Sequence, residues 1–86
     1  MTAEELTARL QAALTPERLE VQDDSLLHAG HAGAGEGRHF RVRIHSARFA
    51  GLSRVARHRL VYDALGSLAG LGIHALALEA RAPGDN

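Results

Sequence analysis

Residues 40–45 read FRVRIH. Phe40, Val42 and Ile44 alternate with Arg41, Arg43 and His45. A period of two sends the apolar set to one side of a strand and the basic set to the other. The stretch therefore predicts a strand with one face on a core and one basic face outward. A second alternation, Leu19 and Val21 against Glu20 and Gln22, predicts another half-buried strand over 17–23. Upstream, Thr2 with Glu5 three residues on makes a capping box, and Leu6, Leu10 and Leu14 form one stripe. This predicts a helix over 3–14, stopped by Thr15-Pro16.

Downstream of the central strand, SARFAGLS reads as a linker pivoting on Gly51. Ser53 can cap a second helix whose stripe runs through Leu60, Val61, Ala64, Leu65 and Leu68, with Gly70 and Gly72 as its stop. IHALALEA, 73–80, predicts a last strand, and 81–86 a frayed polar tail. The expectation is one domain over 1–86 with its core at about 3–80. Its class is α+β, a three-stranded sheet with helices packed on one face.

Composition narrows the function. The chain has 86 residues, so it buries only about 60 to 65% of its unfolded surface and offers little room for a closed pocket. Its serines lack a nucleophile elbow, and an enzyme is not expected. There is no cysteine, which removes disulfides and thiolate metal sites and suits a cytoplasmic protein. No apolar run is long enough to span a membrane.

Charge is unevenly spread. Residues 1–24 carry six carboxylates against two arginines, a net −4, whereas 37–62 carry seven arginines and no carboxylate. Arg54, Arg57 and His58 can share one helical face, and Arg41, Arg43 and His45 share one strand face. Arginine is a good bidentate phosphate donor, so an anionic partner such as DNA is one expectation. The alternative is a solvated face balanced by acids elsewhere in the fold.

Between the first two strands lies HAGHAGAGEGR, 28–38. Its glycines predict a loop. A strand follows it, so a dinucleotide-binding Gly-rich turn does not fit, and a phosphate loop would need a lysine that the chain lacks. His28 and His31 within it, and His74 at the start of the last strand, could ligate a metal. Spacing alone favours a solvated loop for the first two and a partly buried, backbone-bonded ring for His74.

FAGLSRVARHRLVYDAL, 49–65, resembles the signature of the BolA family: a Phe-x-Gly turn leading into a helix with Arg-His-Arg and a Val-Tyr pair. IHALAL, 73–78, resembles that family's C-terminal strand, and DDSLLHAGH and HFRVRIHSARF resemble the segments flanking its variable loop. The resemblance implies a class II KH-like fold, α-β-β-α-α-β. It also implies a monothiol glutaredoxin as partner. The pair would share a [2Fe–2S] cluster held on the other side by cysteine and by glutathione, with no cofactor in the isolated protein. The last-strand ligand maps onto His74. The loop ligand maps onto His28 counting forward from Ser25, and onto His31 counting back from His39, with His31 narrowly favoured.

Arg54, Arg57, His58 and Arg59, with Arg41 and Arg43, would contact the partner or nucleic acid. Some bacterial members of the family act as transcriptional regulators. Gly51-Leu52-Ser53-Arg54 stands where KH domains carry GxxG, so RNA binding through a KH loop is not expected. Alone, the protein is expected to be a monomer or weak homodimer.

Overall fold

The computed structural model describes residues 2–24 and 38–85. Helix α1 spans Ala3–Leu14, strand β1 Arg18–Asp23, strand β2 Arg38–His45, helix α2 Arg54–Leu65 and strand β3 Ile73–Arg81. Short 3-10 turns at Ala47–Phe49 and Ala69–Leu71 flank α2. Thr2 caps α1 as its sequence signature predicts, its hydroxyl accepting from the Glu5 N–H at 3.1 Å.

The strands form one mixed sheet in the order β1-β2-β3. β1 runs antiparallel to β2, with Val21 opposite Val42 and Leu19 opposite Ile44. β3 runs parallel to β2, with Leu76, Leu78 and Ala80 opposite Phe40, Val42 and Ile44. A parallel neighbour requires a crossover, which α2 supplies. The alternation of β2 decides which face is covered. Phe40, Val42 and Ile44 are buried together with Leu6, Leu10 and Leu14 of α1 and Val61 and Leu65 of α2. Arg41 and Arg43 stay exposed on the other side. This is the expected α+β arrangement, with helices on one face only. Among the described residues, no helix is long and apolar enough to cross a membrane.

Three details depart from the sequence reading. Helix α2 stops at Leu65, before the end of its apolar stripe. Gly66 takes φ +78° and its N–H closes on the Tyr62 carbonyl at 2.9 Å, so the first available glycine ends the helix. Leu68 then packs against the core from beyond the helix.

The linker after β2 is also more than a connection. Phe49 is fully buried in the core, and Ser46 is 1% exposed. The Ser46 hydroxyl donates to the Leu14 carbonyl at 2.8 Å and accepts from the Arg48 N–H at 3.2 Å. It thus joins the end of α1 to the start of the 3-10 turn, and it is a structural serine.

Residues 81–85 of the tail make contacts that a polar composition does not predict. Ala82 is buried, and the Asp85 carboxylate accepts from its N–H at 3.0 Å and pairs with Arg57. A polar tail holds its place here because its one acid caps its own turn.

Candidate functional site

Two places on this frame gather the residues singled out in the sequence. The first is the corner where β2 and β3 begin. Arg38 pairs with Ile73, but the next pair is His39 with Ala75. His74 is the additional residue, a bulge in an otherwise regular ladder. Bulges re-aim side chains, and here the His74 side chain is exposed. Its ring centroid lies 5.1 Å from that of His39, with the rings tilted by 43°. The partly buried, backbone-bonded ring that spacing favours for His74 is not what forms.

Asp23 and Arg38, described residues from either side of 25–37, both lie at this corner. On one side Asp23 lies opposite Phe40. On the other the Arg38 N–H donates to the Gly72 carbonyl at 3.0 Å. An Arg38–Asp23 ion pair at 2.9 Å links the two. His28 and His31 lie outside the described residues. Among those described, no group of three or more His, Asp or Glu is placed to hold a metal ion. The corner presents an exposed imidazole, and a metal meeting it would find nitrogen rather than cysteine sulfur on this chain, which has no cysteine.

The second place is a groove of about 540 Å³ between α2 and the outer side of β3. Arg54, Arg57 and His58 all line it, as one helical face predicts. Their roles differ. The Arg57 side chain is only 16% exposed. Its Nε donates to the Leu52 carbonyl at 3.0 Å, and one terminal nitrogen donates to the Ala80 carbonyl at 3.3 Å and to Asp85. It is an internal clamp between helix, strand and tail. Arg54 is exposed, and His58 meets the edge of Tyr62 at 6.5 Å between ring centroids. Arg59 is exposed and does not line the groove.

The outer sheet face is less basic than its sequence. Arg41 pairs with Asp24 at 3.3 Å and Arg43 with Glu79 at 3.8 Å. Arg81 also reaches Glu79, at 3.4 Å. The acids come from 23–24, 79 and 85, outside the carboxylate-free stretch, and the fold brings them to the arginines. Arg54 and Arg59 make no ion pair among the described residues. The Arg81 guanidinium hydrogen-bonded to Glu79 holds its carboxyl below the usual range, with Arg43 and His45 adding to the effect.

Asp85 is likewise held below its ordinary value, first by Arg57 and then by the Ala82 N–H. A carboxyl with a depressed folded pKa stabilises the fold above its unfolded value of 3.8, and that contribution disappears as pH falls through the lower folded value. We expect urea midpoints to decline as pH drops below about 4. Asp85→Asn should be the less stable protein at pH 7 and show a shallower decline. Parallel pH curves for the two proteins would contradict the assignment.

The family model described as "BolA: BolA-like protein" matches residues 10–85. The chain belongs to the BolA family. BolA-like protein 1 of Mus musculus is 46% identical over 79 residues, covering 91% of this chain and 56% of the mouse protein. The chain thus spans little more than half of that relative. The DNA-binding transcriptional regulator BolA of Escherichia coli is 40% identical over 78 residues, 91% of this chain and 72% of that protein. Among solved structures, the BolA domain of SufE1 from Arabidopsis thaliana is similar at a TM-score of 0.79 and 44% identity, over 94% of this chain and 91% of that one. The helices and mixed sheet described above are therefore the BolA fold.

The sequence places His74 at the start of the last strand, as the structure has it, but strand alternation gives no sign of the bulge that sets its ring beside that of His39. Asp85 was hidden in a polar tail.

Proposed function

We propose that this BolA-family chain partners a monothiol glutaredoxin and contributes His74 to a [2Fe–2S] cluster shared between them. The reading also includes one loop histidine, His31 or His28, as a second ligand. The observation that carries it is the bulge at His74. It exposes the ring at the corner where segment 25–37 rejoins the sheet at Arg38.

The corner also fits a partial ligand set. The described residues hold no complete metal site, and the chain's donors are imidazoles. The remaining ligands would be sulfur from the partner's cysteine and from glutathione. Imidazole ligation raises a cluster's potential relative to all-thiolate ligation and titrates near neutral pH, which suits transfer or regulation of iron–sulfur cargo. His39 stands beside His74, with ring centroids 5.1 Å apart.

The test is to titrate the metal-free chain into a cluster-loaded monothiol glutaredoxin. The expected result is a visible circular dichroism spectrum unlike that of the glutaredoxin alone, saturating at one chain per glutaredoxin. A spectrum that is the sum of the separate components contradicts the proposal. A second reading, a DNA-binding regulator, draws on exposed Arg54 and Arg59 and on similarity to the E. coli protein. It ranks behind because Arg41, Arg43 and Arg57 are engaged with acids of this chain. Salt-dependent binding to duplex DNA that weakens on replacing Arg54 and Arg59 would favour it.

A further inference from the structure

Among the described residues β3 is an edge strand, and its outer edge carries backbone groups that no other strand bonds. Successive residues of a strand aim their N–H and C=O alternately to either side. The Arg81 carbonyl accepts from the Ser46 N–H and so points toward β2. The Ala80 carbonyl accepts from Arg57 and so points away from β2. By this parity the N–H and C=O of Leu76 and Leu78, and the N–H of Ala80, face outward. Among the described residues no strand pairs with that edge. Such an edge is a template for another strand.

The groove between α2 and β3 runs alongside it. Leu52 and Leu78 line the groove. Leu52, just before α2, and Val55 in its first turn are the large apolar side chains left exposed among the described residues, at 37% and 66%. Arg54 lies between them in sequence, exposed and lining the groove, and His58 follows one turn on. Arg57 and Arg81 are balanced by Asp85 and Glu79. The first turn of α2 has no acidic residue, and its N-terminal end adds positive potential. The surplus charge beside the edge is therefore positive.

We propose that this edge and groove dock an extended segment of a partner protein with alternating apolar and acidic residues, which adds to β3 as a fourth strand. Backbone bonds to Leu76, Leu78 and the Ala80 N–H would supply affinity. Because successive side chains of a strand point to opposite faces, the acidic set would turn toward Arg54 and His58 in the groove, and the apolar set would lie on the outer face beside the exposed Ala75 and Ala77. This is the strand-addition mode of peptide recognition. Arg57 already fills the Ala80 carbonyl, so the added strand ends there. The proposal stands apart from the cluster reading, since it uses neither His74 nor segment 25–37.

The test uses the full chain and a capped synthetic peptide, EVDVEVD. Backbone amide exchange is followed by nuclear magnetic resonance with and without peptide. The expected result is that Leu76, Leu78 and Ala80 amides exchange at least about tenfold more slowly with peptide bound. A peptide with prolines in place of the valines should give no protection, because it cannot donate along the ladder. Arg54→Glu, at an exposed position, should weaken binding about tenfold while leaving far-ultraviolet circular dichroism unchanged.

Three results would overturn the proposal. One is unchanged exchange at those amides at saturating peptide. Another is equal binding of the proline peptide with shifts confined to Arg41, Arg43 and their neighbours, which is a purely electrostatic contact on the outer face. The third is protection that grows with protein concentration and needs no peptide, which assigns the edge to a second copy of the chain.

Discussion

Replacing Phe49 with alanine should lower the urea midpoint by about 2 M, enough to leave the domain barely folded at 37 °C. Phe49 is fully buried although it sits in a three-residue 3-10 turn outside the long elements. Removing a buried phenylalanine costs about 3 to 5 kcal/mol, combining lost transfer energy with the cavity left behind. A domain of this size has roughly 5 to 15 kcal/mol in total, and small ones lie at the low end. The chain has few other large side chains to close the gap, since Phe40 and Tyr62 are its remaining aromatics. Leu52→Ala, three residues on and 37% exposed, is the control and should change the midpoint little. Similar losses at both positions would mean that the linker is not packed as described.

That result concerns a segment whose sequence does not advertise its importance. SARFAGLS has no period of two or of 3.6, so pattern reading takes it as a connection. Only the three-dimensional arrangement shows Phe49 in the core and Ser46 bonded to the end of α1. Where a period exists, it marks the buried face of an element. The alternation of 40–45 established which face of the sheet is covered, and the leucines of α1 established the helix that covers it. The helix end was harder, because an apolar stripe continues to Leu68 while the backbone already turns at Gly66.

Charge was misleading for a related reason. A count along the chain finds no carboxylate between 37 and 62, yet antiparallel pairing brings Asp23 and Asp24 beside Arg38 and Arg41. The parallel crossover brings Glu79 beside Arg43. Electrostatic balance is a property of pairing, and pairing between distant strands is not written in local composition. The same limit applies to the histidine corner. His74 could be placed on a strand, but the bulge that exposes it depends on register with β2.

Replacing His74 should have the largest effect on function and little on the fold. The side chain is exposed and no core residue depends on it. Surface substitutions of this kind change stability by about 0.5 kcal/mol or less. Histidines that ligate metals are not interchangeable with alanine, because the removed imidazole leaves a coordination position empty. In the proposed heterodimer the chain offers few ligands, so losing this one removes much of its hold on the cluster. The decisive measurement is the visible circular dichroism of cluster-loaded monothiol glutaredoxin mixed with wild-type or His74→Ala protein, with both proteins shown to have the same urea midpoint. The account predicts a new spectrum with wild type and the unaltered glutaredoxin spectrum with His74→Ala. Identical spectra from the two mixtures would contradict it.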